Sequence, residues 1–343
     1  MARIINANDL GEELRKRLLR SFQSGNINFL LGSGASLPAI PTAGPIEAEI
    51  AGLISAGRDE EAYAKMYAFL ETVHAPTNKL INDEADEGNR ASLRCYEALL
   101  KTIEEILLAR RTTILPRQAT VFTTNYDLFL EKASAACPST ILNDGFSRSP
   151  SLGHRMEYSS RNFFRATYNT GNLYDYRVEI PCINLIKLHG SLSWLKDKDD
   201  ILLRVEAVKL LDNDGTHEER RKFIAACAVV LPQAAKFRET LMDRTYYDLL
   251  RIYANSLDRE NTVLITFGFS FGDEHIRDIT MRALKNPTLR LMLFAFNSAA
   301  RDRFATLFQQ YSNVEIIAPG DEDELHFEHF NDSLSRILRA GQG

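Results

Sequence analysis

The sequence predicts an α/β protein: a Rossmann-like, doubly wound parallel sheet carrying an inserted helical lobe. Three observations lead there. Short apolar runs recur along the chain, separated by stretches of helical periodicity. Several of those runs stop abruptly in small or polar turns, as in NFLLGSG, TVFTTNYD, INLIKLHG and TVLITFGFS. Residues 45–115 read as helix throughout, which is more than one crossover between parallel strands needs.

Asn8 to Gln23 is amphipathic, with Leu10, Leu14, Leu18 and Leu19 at helical spacing and Gly25 as a stop. Ile27 to Leu31 is an apolar run ending in glycine, hence a buried strand. Three helical segments come next: IEAEIAGLISAG, EEAYAKMYAFLETV and SLRCYEALLKTIEEILLARR. Thr120 to Thr123 is a strand, followed by a tight polar turn and a helix from Asp127. Residues 138–180 are polar and aromatic, with Gly, Ser and Asn throughout, and read as a loop-rich small-lobe segment with short strands. INLIKLHGSLSW is a strand ending in the turn His189-Gly190-Ser191. Residues 200–230 carry no clear pattern. Tyr246 to Leu257 is a helix, and TVLITFGFSFGDEHIRDITMRAL is strand, glycine turn and helix. LRLMLFAFNSAA is a strand ending at Asn297 before another helix, and NVEIIAPG is a short last strand.

Bulk properties narrow the function. The chain has 343 residues, 45% apolar and 25% charged, which suits a globular core and not disorder. That length predicts two lobes, or one domain with a large insertion. A net charge of −5 argues against a surface built throughout for nucleic acid. Cys95, Cys137, Cys182 and Cys227 show no C-x₂₋₄-C spacing, so they read as reduced thiols of a cytoplasmic protein rather than zinc ligands. The start, MARIINANDLGEELRKRLL, has no apolar core of a signal peptide, and no run of about 18 apolar residues predicts a membrane span. His326 and His329 share a helix-like face without a third ligand, so no metal is expected, and the DEDE run at 321–324 reads as a solvated face.

Ligands of open parallel sheets bind beyond the carboxyl ends of the strands. Those ends carry Gly32-Ser33-Gly34, Asn125-Tyr126-Asp127, His189-Gly190, Gly268-Phe269-Ser270 and Asn297. Each also has a purely local reading: a tight turn for GSGASL, a helix cap for Asn125 or Asp127, a half-buried imidazole for His189. Their common placement at strand ends favours a single cleft.

In this order the motifs resemble those of the sirtuin superfamily, and more closely its bacterial SIR2-like branch. The family's G-A-G-x-S loop, G-I-P-D-F-R, T-Q-N-x-D, H-G, G-x-S turn and late Asn find counterparts across residues 27–300. They are Gly32-Ser33-Gly34-Ala35-Ser36, Ala39-Ile40-Pro41-Thr42, Thr124-Asn125-Tyr126-Asp127, His189-Gly190, Gly268-Phe269-Ser270 and Asn297. Two departures stand out. Only Cys227 lies beyond His189, so the four-cysteine zinc module is missing, and Thr42-Ala43-Gly44 replaces D-F-R. LPQAAKF followed by GFSFGDEHI resembles SIR2-like proteins of antiphage systems, which hydrolyse NAD and in some cases assemble with a HerA-type ATPase.

The resemblance implies a sirtuin-like fold across residues 1–343 and an NAD glycohydrolase, with NAD as substrate and no metal. It makes Asn125 and His189 the catalytic residues: Asn125 on the ribose and attacking water, His189 as base. It gives Asp127 the nicotinamide amide. Gly32, Ser33, Gly34, Ala35, Ser36, Pro41, Thr42, Gly268, Ser270 and Asn297 would complete the NAD site, the glycine loop letting the pyrophosphate approach backbone amides. Asn297 and Ser270 would hold phosphate and the adenosine ribose. The implied partners are further copies of the chain and a HerA-type ATPase, with no sequence-specific nucleic acid and no membrane. An NAD-dependent protein deacylase or ADP-ribosyltransferase, and a non-catalytic NAD- or ADP-ribose-sensing subunit, stay open as alternatives. The sequence leaves open the trigger, the stoichiometry, ADP-ribose or a cyclic product, and NAD or NADP.

Overall fold

The computed structural model describes the chain except residues 43, 111–114, 149–155, 172–176, 198–199, 205, 207, 212–214, 230–243 and 340–343. LPQAAKF falls outside the described residues. Among the described residues, eight strands form one wholly parallel sheet: β1 (Arg3–Asn6), β2 (Asn26–Leu31), β3 (Gln118–Thr123), β4 (Ile141–Asn143), β9 (Cys182–Lys187), β13 (Thr262–Phe267), β14 (Arg290–Phe294) and β15 (Val314–Ala318). Their order is β1-β15-β14-β13-β2-β3-β9-β4. From β2 the chain builds outward through β3 and β9, then returns to β13 on the other side of β2 and continues to β14 and β15. The direction of winding therefore reverses between β2 and β13, which is where such sheets bind ligands.

The pleat explains why these strands are apolar along their whole length. Ile27, Phe29 and Leu31 of β2 pack into one core cluster and Leu30 into another. Val263, Ile265 and Phe267 of β13 divide from Leu264 in the same way, as do Met292 and Phe294 of β14 from Leu291 and Leu293. Two-residue alternation sends neighbours to opposite faces, and both faces are covered by helices. On the first face lie α1 (Glu12–Ser24), α3 (Asp59–Ile81), α4 (Glu87–Leu108) and α10 (Phe327–Arg339). On the second lie α7 (Arg244–Leu257), α8 (Glu274–Ala283) and α9 (Ser298–Leu307).

The helices read at residues 45–115 are α2 (Gly44–Ser55), α3 and α4, running between β2 and β3. They share the first core cluster with the sheet through Ile50, Met66, Leu70, Leu99 and Ile103. The helix expected from Asp127 begins instead at Phe129 and is short: α5 (Phe129–Ala133), then one 3-10 turn before Pro138, which cannot continue it. Residues 138–180 contribute β4 to the main sheet. They also supply β5 (Phe146–Arg148), β6 (Met156–Tyr158) and the hairpin of β7 (Thr167–Thr170) with β8 (Arg177–Ile180). A second, antiparallel sheet has the order β12-β10-β11-β6-β5, with β10 (Gly190–Asp197), β11 (Asp200–Leu203) and β12 (Cys227–Val229). The patternless region 200–230 thus holds β11, α6 (His217–Ala226) and β12. All four cysteines are free thiols.

Arg110 closes the end of α1. Its buried guanidinium donates to Phe22 O (3.0 Å) and Gly25 O (2.6 Å), carbonyls at the end of the helix, and to Pro116 O (2.8 Å) before β3. Burial draws its pKa down to about 10, so it stays charged at neutral pH. Arg110→Met should lower stability by roughly 2–4 kcal/mol through the orphaned carbonyls, read as a shifted urea midpoint at unchanged helical content.

Candidate functional site

Register assembles the site. Leu31 pairs with Thr123 on one side and Phe267 on the other, and Thr123 pairs with Lys187. The strands therefore end in one row. Just beyond those ends, Gly32, Asn125, His189 and Gly268 leave the sheet along one edge.

Two of these loops touch. A side chain on Gly32 would stand 2.4 Å from Gly268 O, and one on Gly268 would stand 2.5 Å from Ala35 N. The amide of Gly32 bonds to Phe267 O, that of Gly34 to Gly268 O and that of Ala35 to Gly32 O, each at 3.0 Å. The glycines thus serve backbone-to-backbone packing, and these three amides are not open to a pyrophosphate. After Gly32 the chain forms a four-residue 3-10 turn, Ser33–Ser36, and not an α-helix. The expected phosphate cradle is corrected on this point.

Ser36 stands at the centre of a closed polar network. Its hydroxyl donates to Asp127 Oδ2 (2.7 Å). With that proton committed, its oxygen accepts from Asn125 Nδ2 (3.0 Å) and the Tyr96 hydroxyl (2.9 Å). Asn125 Nδ2 also donates to Gly32 O (3.0 Å) and lies 3.3 Å from the Tyr96 hydroxyl. The amide hydrogens of Asn125 are spent inside the protein, so it addresses the cleft with its carbonyl Oδ1, as an acceptor. Asp127 takes the Phe129 amide on Oδ1 (3.2 Å), which also starts α5. Burial, reinforced by the negative charge of Asp127, pushes the Tyr96 phenol well above its ordinary pKa and keeps it protonated. The Ser36 hydroxyl has hydrogen bonds to three protein groups.

Beneath this network Lys187, 2% exposed, pairs with Glu131 at 2.8 Å and donates to the backbone carbonyl of Asp127 and to Ser191 Oγ (3.1 Å). Burial raises the Glu131 pKa against the pull of Lys187. The ammonium ties the turn after β3 to the start of β10.

His189 precedes a glycine that nothing else can replace. Gly190 has φ +83°, and a side chain there would stand 2.0 Å from Ala228 O. The imidazole Nε2 lies 2.9 Å from Asp273 Oδ2. Asp273 caps α8, its Oδ1 accepting from the amides of His275 (2.9 Å) and Ile276 (3.2 Å). Burial pushes the Asp273 carboxyl up, but the hydrogen bond and charge of His189 and the Ile276 amide prevail and hold it well below the usual carboxylate range.

These groups face a cleft of about 1150 Å³. Ser33, Gly34, Ser36, Pro41, Thr42, Asn125, Asp127, His189, Gly268 and Ser270 all line it, with Ala48 and Ala51 of α2 and Phe69 and Val73 of α3 opposite. Gly32 and Ala35 are buried behind the lining. Asn297 is not among the lining residues, and its Oδ1 accepts from the Ala300 amide (3.0 Å) as the cap of α9. From α9 it is Ala300, Arg303 and Phe304 that reach the cleft. Sequence reading missed Tyr96, Asp273 and Arg303. The residue triplet Gly272-Asp273-Glu274 before a helical pattern is a cap signal, and it points to Asp273 without revealing its second partner.

The model of a family described as a SIR2-like domain matches residues 119–317, more than half of the chain. The chain belongs to the SIR2-like family. The matched span contains Asn125, Asp127, His189, Asp273 and Arg303, while the Gly32–Ser36 loop and α2 to α4 precede it. No curated protein matches the sequence. Among solved structures, the crystal structure of a Sir2 homolog–NAD complex aligns with a TM-score of 0.46 and 14% identity, over 95% of this chain and 94% of its own. Among the described residues of this SIR2-like chain, no group of three or more His, Cys, Asp or Glu side chains is placed to hold a metal ion, and no helix is long and apolar enough to cross a membrane.

Ser36→Ala should leave the Tyr96 hydroxyl without its acceptor and Asp127 Oδ2 without its donor, lowering stability by about 1–3 kcal/mol in urea unfolding. The depressed Asp273 pKa has its own signature. Its contribution is whole above the unfolded carboxylate value of about 4 and is lost as pH falls through the lower native value. The urea midpoint of Asp273→Asn should therefore change less than that of the parent protein on going from about pH 5 to about pH 2.5.

Proposed function

We propose that the chain is an NAD glycohydrolase that breaks the bond between nicotinamide and ribose to give nicotinamide and ADP-ribose. The observation that carries this is the convergence of Asn125, Asp127 and His189 on one cleft at the winding reversal of the sheet. The cleft volume of about 1150 Å³ exceeds the ~300–1,000 Å³ usual for small-molecule pockets, which suits an extended dinucleotide.

Nicotinamide leaves NAD as a neutral ring from an oxocarbenium-like transition state, so little acid help is needed. The work falls to groups that hold the carboxamide, orient the ribose and guide a water. Asp127 retains acceptor capacity beyond Ser36 and Phe129 and would take the carboxamide N–H. Asn125 Oδ1 would accept from a ribose hydroxyl or from the attacking water, and His189 would remove the proton. Among the described residues lining the cleft, Arg303 is the only lysine or arginine, against Asp127, Asp273, Glu274 and Asp278. Its charge is the counterpart this cleft offers to the phosphates, in place of the amides consumed by the glycine loops. Family resemblance supports two further parts of the proposal: NAD depletion in antiphage defence, and control of the activity by self-assembly or by a HerA-type ATPase.

The test measures nicotinamide and ADP-ribose produced by the purified chain, alone and with a HerA-type ATPase. Asn125→Ala and His189→Ala should each reduce turnover by about 10²–10⁴-fold. Near-parental hydrolysis in both variants would overturn the assignment. Tight NAD binding without turnover in either state would turn the reading to a sensing subunit.

A further inference from the structure

We infer that Asp273 is a positioning residue that fixes the tautomer of His189, so that Nδ1 and not Nε2 is the nitrogen that takes the proton. The inference rests on the glycohydrolase reading for its catalytic consequence, but not for the tautomer itself.

The geometry runs from the helix inward. The start of α8 offers two amides to one oxygen of Asp273, which fixes the carboxylate in the plane that brings its other oxygen to 2.9 Å from His189 Nε2. An ionised carboxylate only accepts hydrogen bonds, so the hydrogen lies on Nε2. A neutral imidazole holds one hydrogen, which leaves the lone pair on Nδ1. The backbone beneath is equally constrained, because Gly190 has φ +83° and abuts Ala228 O. A base held on one side by the backbone and on the other by an acceptor has a single productive orientation.

The ionisable groups around the ring are few. Asp127 and Arg303 line the same cleft, with Glu274, His275 and Asp278 on α8. Lys187 lies two residues before His189, its ammonium turned to Glu131 and the Asp127 carbonyl. The hydroxyl of Tyr246 on α7 lies 2.9 Å from where a side chain on Gly190 would stand, and Tyr253 of the same helix feels the charge of Asp273. Among the described residues, Asp273 is the ionisable group in hydrogen-bond contact with the ring.

Asp273→Asn separates this role from a packing role. The amide is nearly isosteric and can turn its NH₂ to the ring, which drives the hydrogen to Nδ1. Imidazole nitrogen-15 spectra of the full chain, assigned with His189→Gln, should show hydrogen on Nε2 in the parent and on Nδ1 in Asp273→Asn. In NAD hydrolysis the variant should lose about 10²–10⁴-fold in kcat with KM little changed. Asp273→Glu, which keeps the charge, should recover part of the loss. Hydrogen on Nδ1 in the parent, or a loss of rate in Asp273→Asn with the tautomer unmoved, would overturn the assignment. If the parent chain turns over no NAD, the glycohydrolase reading fails while the spectra still decide the tautomer.

Discussion

The contact between the loops after β2 and β13 is the constraint on which the cleft depends. Three backbone hydrogen bonds join or brace these loops, and a single added methyl group at Gly32 or Gly268 would strike main-chain atoms that cannot move aside. Because the contact lies where the winding reverses, it fixes the distance between the two halves of the sheet. Asn125 and Asp127 belong to one half, and Asp273 and Arg303 to the other. His189 is held from both sides: its backbone continues β9, and its ring reaches across to Asp273.

Polar groups make up much of the layer under the cleft, and they are arranged so that few are left unpaired. Ser36 uses its one donor and both acceptor positions, and Lys187 is neutralised by Glu131 while bracing the Asp127 carbonyl. In a low-dielectric interior such a network is rigid when complete, and costly when one member is removed. The carbonyl of Asn125 and the free side of Asp127 are therefore presented to the cleft by atoms that have no alternative partners to drift toward.

The sheet was largely legible in the sequence because burial on both faces demands unbroken apolar runs. NFLL, TVFT, INLIK, TVLITF, RLMLF and VEII all became central strands. RIIN escaped because only Ile5 of this edge strand is buried, and the segment after Gly190 escaped because serines interrupt it. The strand-end motifs were legible since glycine and polar residues are out of place after such runs. Their individual duties were not. Whether the Gly32–Ser36 loop cradles a phosphate or packs on Gly268 depends on a strand more than two hundred residues away. Tyr96 looks like one more apolar position on an amphipathic helix, and Asp273 like a cap. In each case the deciding partner is distant in sequence, and no local pattern encodes it.

Tyr96 ties two parts of the chain that sequence reading kept apart. It sits on α4, outside the matched family span, and its hydroxyl completes the coordination of Ser36 and Asn125. Its neighbour Cys95 donates to Glu328 of α10, so the same turn of helix faces the C-terminal helix and the cleft. Positions 36, 96, 125 and 127 consequently form one unit of inheritance. A change at any of them strands a buried donor or acceptor, and lineages that replace one are expected to replace the others in concert. The insertion between β2 and β3 is thus tied to the site by hydrogen bonds at this turn, in addition to the apolar core it shares with the sheet.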